Sequence, residues 1–280
     1  MIGRPIMRGY YSGIDLDAYF ARIAYTGPRQ PHLAVLQELH AAHHVAIPYE
    51  NIDVLLRQPV GLDVVTLHTK MILSQRGGYC FEQNVYFQHV LVAMGFRVRA
   101  VAARVFWRAL NGEVPPRNHM VLLVTLDDGD YLADVGFGLL KMWAPLRVEP
   151  VVEQHTPIGV YRLLPVGPEY LVQLERKGRW AGRYQVSMHE QGPADWDVAH
   201  YYMSTHPSSP FTTNLMAARS KGDARYCLLN NKLQIHHGDG TAQHRVLKSA
   251  AELGAVLRDE FDIALSENCA AEVAHVALKK

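Results

Sequence analysis

The spacing of apolar positions changes near residue 95. Before it, apolar side chains recur every three or four residues, the period of a helix with one buried face. Asp15 or Asp17 stands where an N-cap belongs, ahead of Tyr19, Phe20 and Ile23, so a first helix is predicted to about Tyr25, ended by Gly27-Pro28. Pro31 opens a second, with Leu33, Val35, Leu36 and Leu39 followed by His40, His43 and His44 in the same element. Residues 65–74 suit a third helix, closed by Gly77-Gly78. Residues 80–94 make a strong fourth, with Gly95 just past its end as a C-cap.

Beyond Gly95 the pattern alternates and favours β-branched residues. Strands are predicted at 97–107 and His119–Leu126, then a turn at Asp127-Asp128-Gly129-Asp130 and a return strand at 131–135. Further strands at 161–166, 170–175 and 179–188 are separated by Gly167-Pro168 and Lys177-Gly178, giving an antiparallel sheet or small barrel. From near His200 the character is mixed. A loop runs over His206-Pro207-Ser208-Ser209-Pro210, and strands at 225–229 and 232–235 flank a hairpin turn at Asn230-Asn231. At 249–261 an amphipathic helix aligns Leu253, Val256, Leu257 and Phe261. No internal repeat or low-complexity tract interrupts this order. The expected class is α+β, divided at 1–96 (helices), 97–199 (strands) and 200–280 (mixed).

Composition narrows the function classes. With 280 residues, 49% hydrophobic and 20% charged, the chain can bury a core. Lys+Arg is 28 and Asp+Glu 27, so the formal charge of +1 argues against a protein built to wrap nucleic acid or lie on an anionic membrane. Three cysteines (Cys80, Cys227, Cys269) do not make a disulfide framework, and a reduced, cytoplasmic setting is expected. Residues 1–13 lack the apolar stretch of a targeting signal. Runs such as 120–124 are far too short to cross a bilayer.

The segment Arg76-Gly77-Gly78-Tyr79-Cys80-Phe81-Glu82-Gln83-Asn84 holds the most chemistry. Two glycines allow a tight turn and close approach. Cys80 then opens a helix, where unpaired N–H groups and the helix dipole favour a thiolate nucleophile. The competing reading is a small buried thiol that does nothing. His119 begins an apolar strand and suits a general base; most of the fifteen histidines must be surface or structural. Asp134, in Leu132-Ala133-Asp134-Val135-Gly136-Phe137-Gly138, either needs a partner or turns to solvent. Cys80, His119 and Asp134 are the residue types of a nucleophile, base and orienting acid. One geometric check stands against them. A hairpin centred on Asp128-Gly129 sets Asp134 opposite Leu123, leaving His119 about 13 Å further along the strand. No metal motif brackets His43-His44 or His236-His237, the other cysteines lack C-x-x-C spacing, and no Walker or Rossmann glycine pattern occurs. No metal is expected.

Arg76–Glu82 resembles the active-site motif of the arylamine N-acetyltransferases. The likeness extends to Ile47-Pro48-Tyr49-Glu50-Asn51-Ile52-Asp53, to His119, to Asp134–Gly138 and to Pro207-Ser208-Ser209-Pro210-Phe211-Thr212-Thr213, and covers about residues 15–265. It implies a helical bundle, a β-barrel and an α/β lid around a cysteine-protease-like catalytic core. It implies Cys80 as nucleophile, His119 as base and Asp134 as orienting acid. It also implies Val105, Phe137 and Phe211 along the acceptor pocket, Gly138 and Thr212 near the donor, and acetyl-coenzyme A as acyl-donor substrate. The expected acceptors are arylamines, hydrazines or arylhydroxylamines. Arg76 and Glu50 are expected to form a buried ion pair. The alternatives are a cysteine hydrolase of transglutaminase type, an amide synthase with a similar triad, and a binding protein that keeps the fold without catalysis.

Overall fold

The computed structural model describes residues 13–106, 114–138, 142–157, 159–176 and 178–279. The start of the chain, Trp107 at the end of a predicted strand and Lys177 of a predicted turn lie outside them.

The N-terminal third folds as α1 (Leu16–Arg22), α2 (Leu33–Ala46), a two-residue strand β1 (Tyr49–Glu50), α3 (Ile52–Leu55), α4 (Val64–His68) and α5 (Cys80–Ala93). Asp15 caps α1 by accepting from the Ala18 N–H at 2.9 Å. The predicted third helix departs from expectation: after α4 the chain widens into a π-helical turn at Thr69–Leu73. That turn carries Lys70 into the interior, where Nζ lies 2.5 Å from Asp53 Oδ2 and 2.7 Å from Glu82 Oε1.

The middle of the chain is an eight-stranded antiparallel sheet. Its strands are β2 (Arg97–Val105), β3 (His119–Leu126), β4 (Gly129–Ala133), β5 (Leu146–Arg147), β6 (Gln154–Thr156), β7 (Gly159–Val166), β8 (Glu169–Arg176) and β9 (Arg179–Glu190), in the order β5-β4-β3-β2-β9-β8-β7-β6. A bridge from Pro150 to Leu163 brings the two ends together, so the sheet is a nearly closed barrel. Val101, Ala103, Val121, Leu123, Leu132, Tyr161, Leu163, Val172 and Val186 fill its interior. The other faces of β2, β3 and β4 pack Ala100, Ala102, Met120, Leu122, Val124 and Ala133 against the helices. Burial on both sides is why β3 begins as an unbroken apolar run rather than an alternation.

The remainder comprises α6 (Pro193–Thr205), β10 (Met216–Lys221), β11 (Ala224–Leu229), β12 (Lys232–His236), β13 (Ala242–Val246), α7 (Ala250–Phe261) and α8 (Glu267–Ala277). The second sheet has the order β1-β10-β11-β12-β13, with α7 and α8 packed on it through Leu253, Leu257, Phe261 and Val273. Its edge is β1, from the N-terminal third. Tyr49 also bridges to Gly78, so this sheet reaches the glycine turn ahead of Cys80. A Cβ on Gly77 would stand 2.0 Å from the Pro48 carbonyl oxygen; only glycine fits there.

The expected ion pair belongs to a larger cluster. Arg76 Nη2 lies 2.8 Å from Glu50 Oε1 and 3.0 Å from Asp53 Oδ1, and Glu50 is fully buried. Arg76→Met is therefore expected to cost about 3–5 kcal/mol, since it strands a buried carboxylate. Urea unfolding measures this, and the double variant Arg76→Met/Glu50→Gln should recover part of the loss.

Candidate active site

Cys80 is the first residue of α5, fixed by the turn before it. The Tyr79 N–H donates to Glu82 Oε2 at 3.0 Å, closing the helix start, and the Tyr79 hydroxyl meets His200 Nδ1 of α6 at 2.5 Å. A cleft of about 520 Å³ opens beside His200, bordered by Arg57, Val60, Tyr201 and Thr212. Cys80 itself is 3% exposed. Burial pushes its thiol well above the ordinary cysteine value, and the Asp134 carboxylate adds to the shift. The backbone N–H groups of the helix start pull the other way without overcoming it. The helix terminus that favours a thiolate in the sequence is thus outweighed by desolvation.

His119 and Asp134 meet: Nε2 lies 2.7 Å from Asp134 Oδ2, with both side chains buried. The separation expected from the hairpin is corrected by its register. Leu126 pairs with Gly129 and Leu122 with Ala133, so the turn is Asp127-Asp128 alone. That register extended sets Asp134 opposite Val121, two residues or about 7 Å from His119. The chain also leaves the strand after Ala133, so the carboxylate swings to the imidazole. Burial would raise the Asp134 pKa. His119 and hydrogen bonds from Asn84 and the Gly136 N–H outweigh it and hold the carboxyl below its usual value.

Asn84, one turn along α5 from Cys80, ties these parts together. Its Nδ2 donates to Asp134 Oδ1 (2.9 Å) and to the Met120 carbonyl (2.7 Å), and its Oδ1 accepts from the Val135 N–H (3.0 Å). One amide thus joins the helix of Cys80 to the strand of His119 and the loop of Asp134. The sequence carries a trace of this: spacing i, i+4 puts Asn84 on the same helix face as Cys80. Asn84→Leu leaves buried backbone groups unpaired and is expected to cost about 2–4 kcal/mol, read by urea unfolding.

The other expected positions divide. The Phe137 ring lies 5.2 Å from His119 and 4.9 Å edge-on to Tyr184, beside the His119–Asp134 pair. Val105 ends β2 opposite Tyr184, whose ring is 5.4 Å from His119. Phe211 packs edge-on to Tyr79 at 5.2 Å. Gly138 lies against the Tyr49 ring, where a Cβ would approach to 3.0 Å. The Thr212 hydroxyl is engaged within its own loop, donating to the Ser209 carbonyl at 2.9 Å. Tyr49, Asn84, Tyr184 and Lys70 are site neighbours that the sequence reading did not single out.

Among the described residues no helix is long and apolar enough to cross a membrane. No group of three or more His, Cys, Asp or Glu among them is arranged to hold a metal ion. A family model described as N-acetyltransferase matches residues 32–270. Arylamine N-acetyltransferase of Mycobacterium tuberculosis strain H37Rv is 40% identical over 258 residues, covering 91% of each chain. The solved structure of Mycobacterium marinum arylamine N-acetyltransferase superposes with a TM-score of 0.90 at 37% identity, covering 94% of this chain and all of that one. The same enzyme in complex with CoA gives 0.89, also at 37% identity, over 94% of this chain and all of that one. With matches of this extent across sequence and fold, the chain belongs to the arylamine N-acetyltransferase family.

Proposed function

We propose that the protein moves an acetyl group from acetyl-coenzyme A to an arylamine, arylhydrazine or arylhydroxylamine through an acetyl-thioester on Cys80. The carrying observation is the buried His119–Asp134 pair, joined through Asn84 to the helix that Cys80 opens. Because burial disfavours an isolated Cys80 thiolate, the thiol proton passes to His119, and Asp134 stabilises the imidazolium. Nε2–H of His119 is committed to Asp134, so Nδ1 is the nitrogen that exchanges this proton. The thiolate attacks the acetyl carbonyl and the bond to the coenzyme A sulfur breaks. The departing thiolate takes the proton from His119. The amine then attacks the acetyl-enzyme, His119 removes a proton from its nitrogen, and Cys80 leaves as thiolate.

Val105, Phe137 and Phe211 offer a flat apolar wall to an aromatic acceptor, and Gly138 and Thr212 flank the donor. The segments 1–96, 97–199 and 200–280 act as a bundle with the nucleophile, a barrel with the base and acid, and a lid, around a cysteine-protease-like core. The setting is cytoplasmic and the reaction needs no metal.

The test is incubation with acetyl-coenzyme A alone. A burst of one equivalent of free coenzyme A is expected, with the acetyl group on the peptide containing Cys80, discharged on adding an aromatic amine. Release only when both substrates are present, with no acetyl on the protein, overturns the two-step scheme. Release at one rate with or without amine indicates a hydrolase.

A further inference from the structure

Helix α2 buries three histidines on one face: His40, His43 and His44, each at most 1% exposed. Side chains facing a core at this spacing are ordinarily aliphatic. Each of these instead reaches a different part of the site. His43 donates from Nε2 to Gln83 Oε1 at 2.6 Å, and Gln83 Nε2 in turn donates to the Pro48 and Gly78 carbonyls beneath the glycine turn. His40 Nε2 accepts the Asp134 backbone N–H at 3.2 Å. His44 Nε2 donates to the Met142 carbonyl at 2.7 Å. Asp134 opens the described run that carries Gly136, Phe137 and Gly138, and Met142 is buried in the same core as Phe137.

We propose that His40 and His44 are positioning residues, His40 fixing the acid at Asp134 and His44 fixing the pocket side at Met142, which packs in the same core as Phe137. The inference rests on the reading of Asp134 as the orienting acid.

The two rings need opposite tautomers. His40 must present a lone pair at Nε2 and so carries its proton on Nδ1. His44 must carry its proton on Nε2, because a carbonyl only accepts. The rings are one helical turn apart and pack edge to face, centroids 4.7 Å apart at 76°, so each restrains the other. Phe87 of α5 stands edge-on to His40 at 6.2 Å. The acid loop is thereby referenced, through α2 and Phe87, to the helix that carries Cys80. Leucine would fill either volume and supply neither hydrogen bond. Glutamine offers an acceptor and a donor on a chain of similar reach.

The test compares Leu and Gln at each position by steady-state acetylation, thermal unfolding and the pH profile of Cys80 alkylation by iodoacetamide. His40→Leu is expected to lower kcat by about ten- to a hundred-fold with little change in the amine KM, since the acid shifts but the pocket does not. His44→Leu is expected to raise the amine KM about five-fold with kcat within about two-fold. The Gln variants should recover most of each loss. Leu variants that lower only the melting temperature, or Leu and Gln variants that fall equally, overturn the proposal. If the wild-type protein transfers no acetyl group, the functional reading falls separately. The alkylation profile still decides the clamp: a displaced profile in His40→Leu supports it, and an unchanged one overturns it.

Discussion

Cys80→Ala is expected to abolish acetyl transfer while leaving a folded protein. No other described side chain stands at the start of α5 to accept an acyl group, and removal of a triad nucleophile is worth on the order of 10⁶-fold. The structural cost is small by comparison. The substitution deletes one sulfur atom from a site that is 3% exposed, and the helix start is closed by Glu82 and Tyr79 rather than by the thiol. A change of about 1 kcal/mol in urea unfolding is expected. Alkylation supplies the complementary reading. In the wild type, iodoacetamide near neutral pH should modify Cys80 faster than Cys227, which is buried, and Cys269, whose thiol burial also pushes up. That selectivity must come from the imidazole, because burial works against Cys80 as well. An active Cys80→Ala enzyme would sink the scheme.

The elements legible in the sequence are those whose own residues carry the signal. The range of β3 is legible because its apolar stretch starts at His119 and stops at the Asp127-Asp128 turn. Helix α5 was read because Gly77-Gly78 and Gly95 bracket it. Cys80, His119 and Asp134 were legible as candidates by residue type and by family likeness, but the meeting of His119 and Asp134 was not. Asp127-Asp128-Gly129-Asp130 admits two turn placements, and the choice between them moves Asp134 by two residues along β3.

What stayed hidden depends on distant partners. Tyr49–Glu50 is too short to show a period and becomes a strand because β10 pairs with it. Met216–Lys221 reads as Met-Ala-Ala-Arg-Ser-Lys, mostly good helix formers, and is strand because it lies between β1 and β11. His40, Asn84 and Gln83 count as polar positions in any local pattern. Their burial is set by groups such as Asp134, ninety-four residues from His40. The predicted Arg76–Glu50 pair is present, but Asp53 of α3 shares Arg76, and Lys70 reaches the cluster from a π-helical turn that periodicity does not announce.

Gly136→Ala is expected to lower activity at least about a hundred-fold, although residue 136 bears no functional group. A Cβ there would lie 2.7 Å from the Cys80 carbonyl oxygen, 2.8 Å from Cys80 Cα and 2.7 Å from Asn84 Nδ2. Two of these are backbone atoms at the start of α5 and do not move aside, so the acid loop must retreat. Retreat has direct chemical consequences. The Gly136 N–H donates to Asp134 Oδ1 at 3.0 Å, and Asn84 holds the same oxygen at 2.9 Å. Shifting the loop loosens both bonds and draws Oδ2 from the His119 ring, removing what keeps the imidazole oriented. A displacement near 1 Å in a preorganised site is enough for a loss of about 10². Overpacking should also cost about 1–3 kcal/mol of stability. The two effects separate by comparison with Gly167→Ala. Gly167, unlike Gly136, has a left-handed backbone, and no atom lies within 4 Å of a Cβ there, so Gly167→Ala loses stability by strain without any collision at the site. If Gly136→Ala keeps wild-type kcat and the same Cys80 alkylation profile, the loop is not pressed against the nucleophile, and Gly136 is not what brings acid and thiol together.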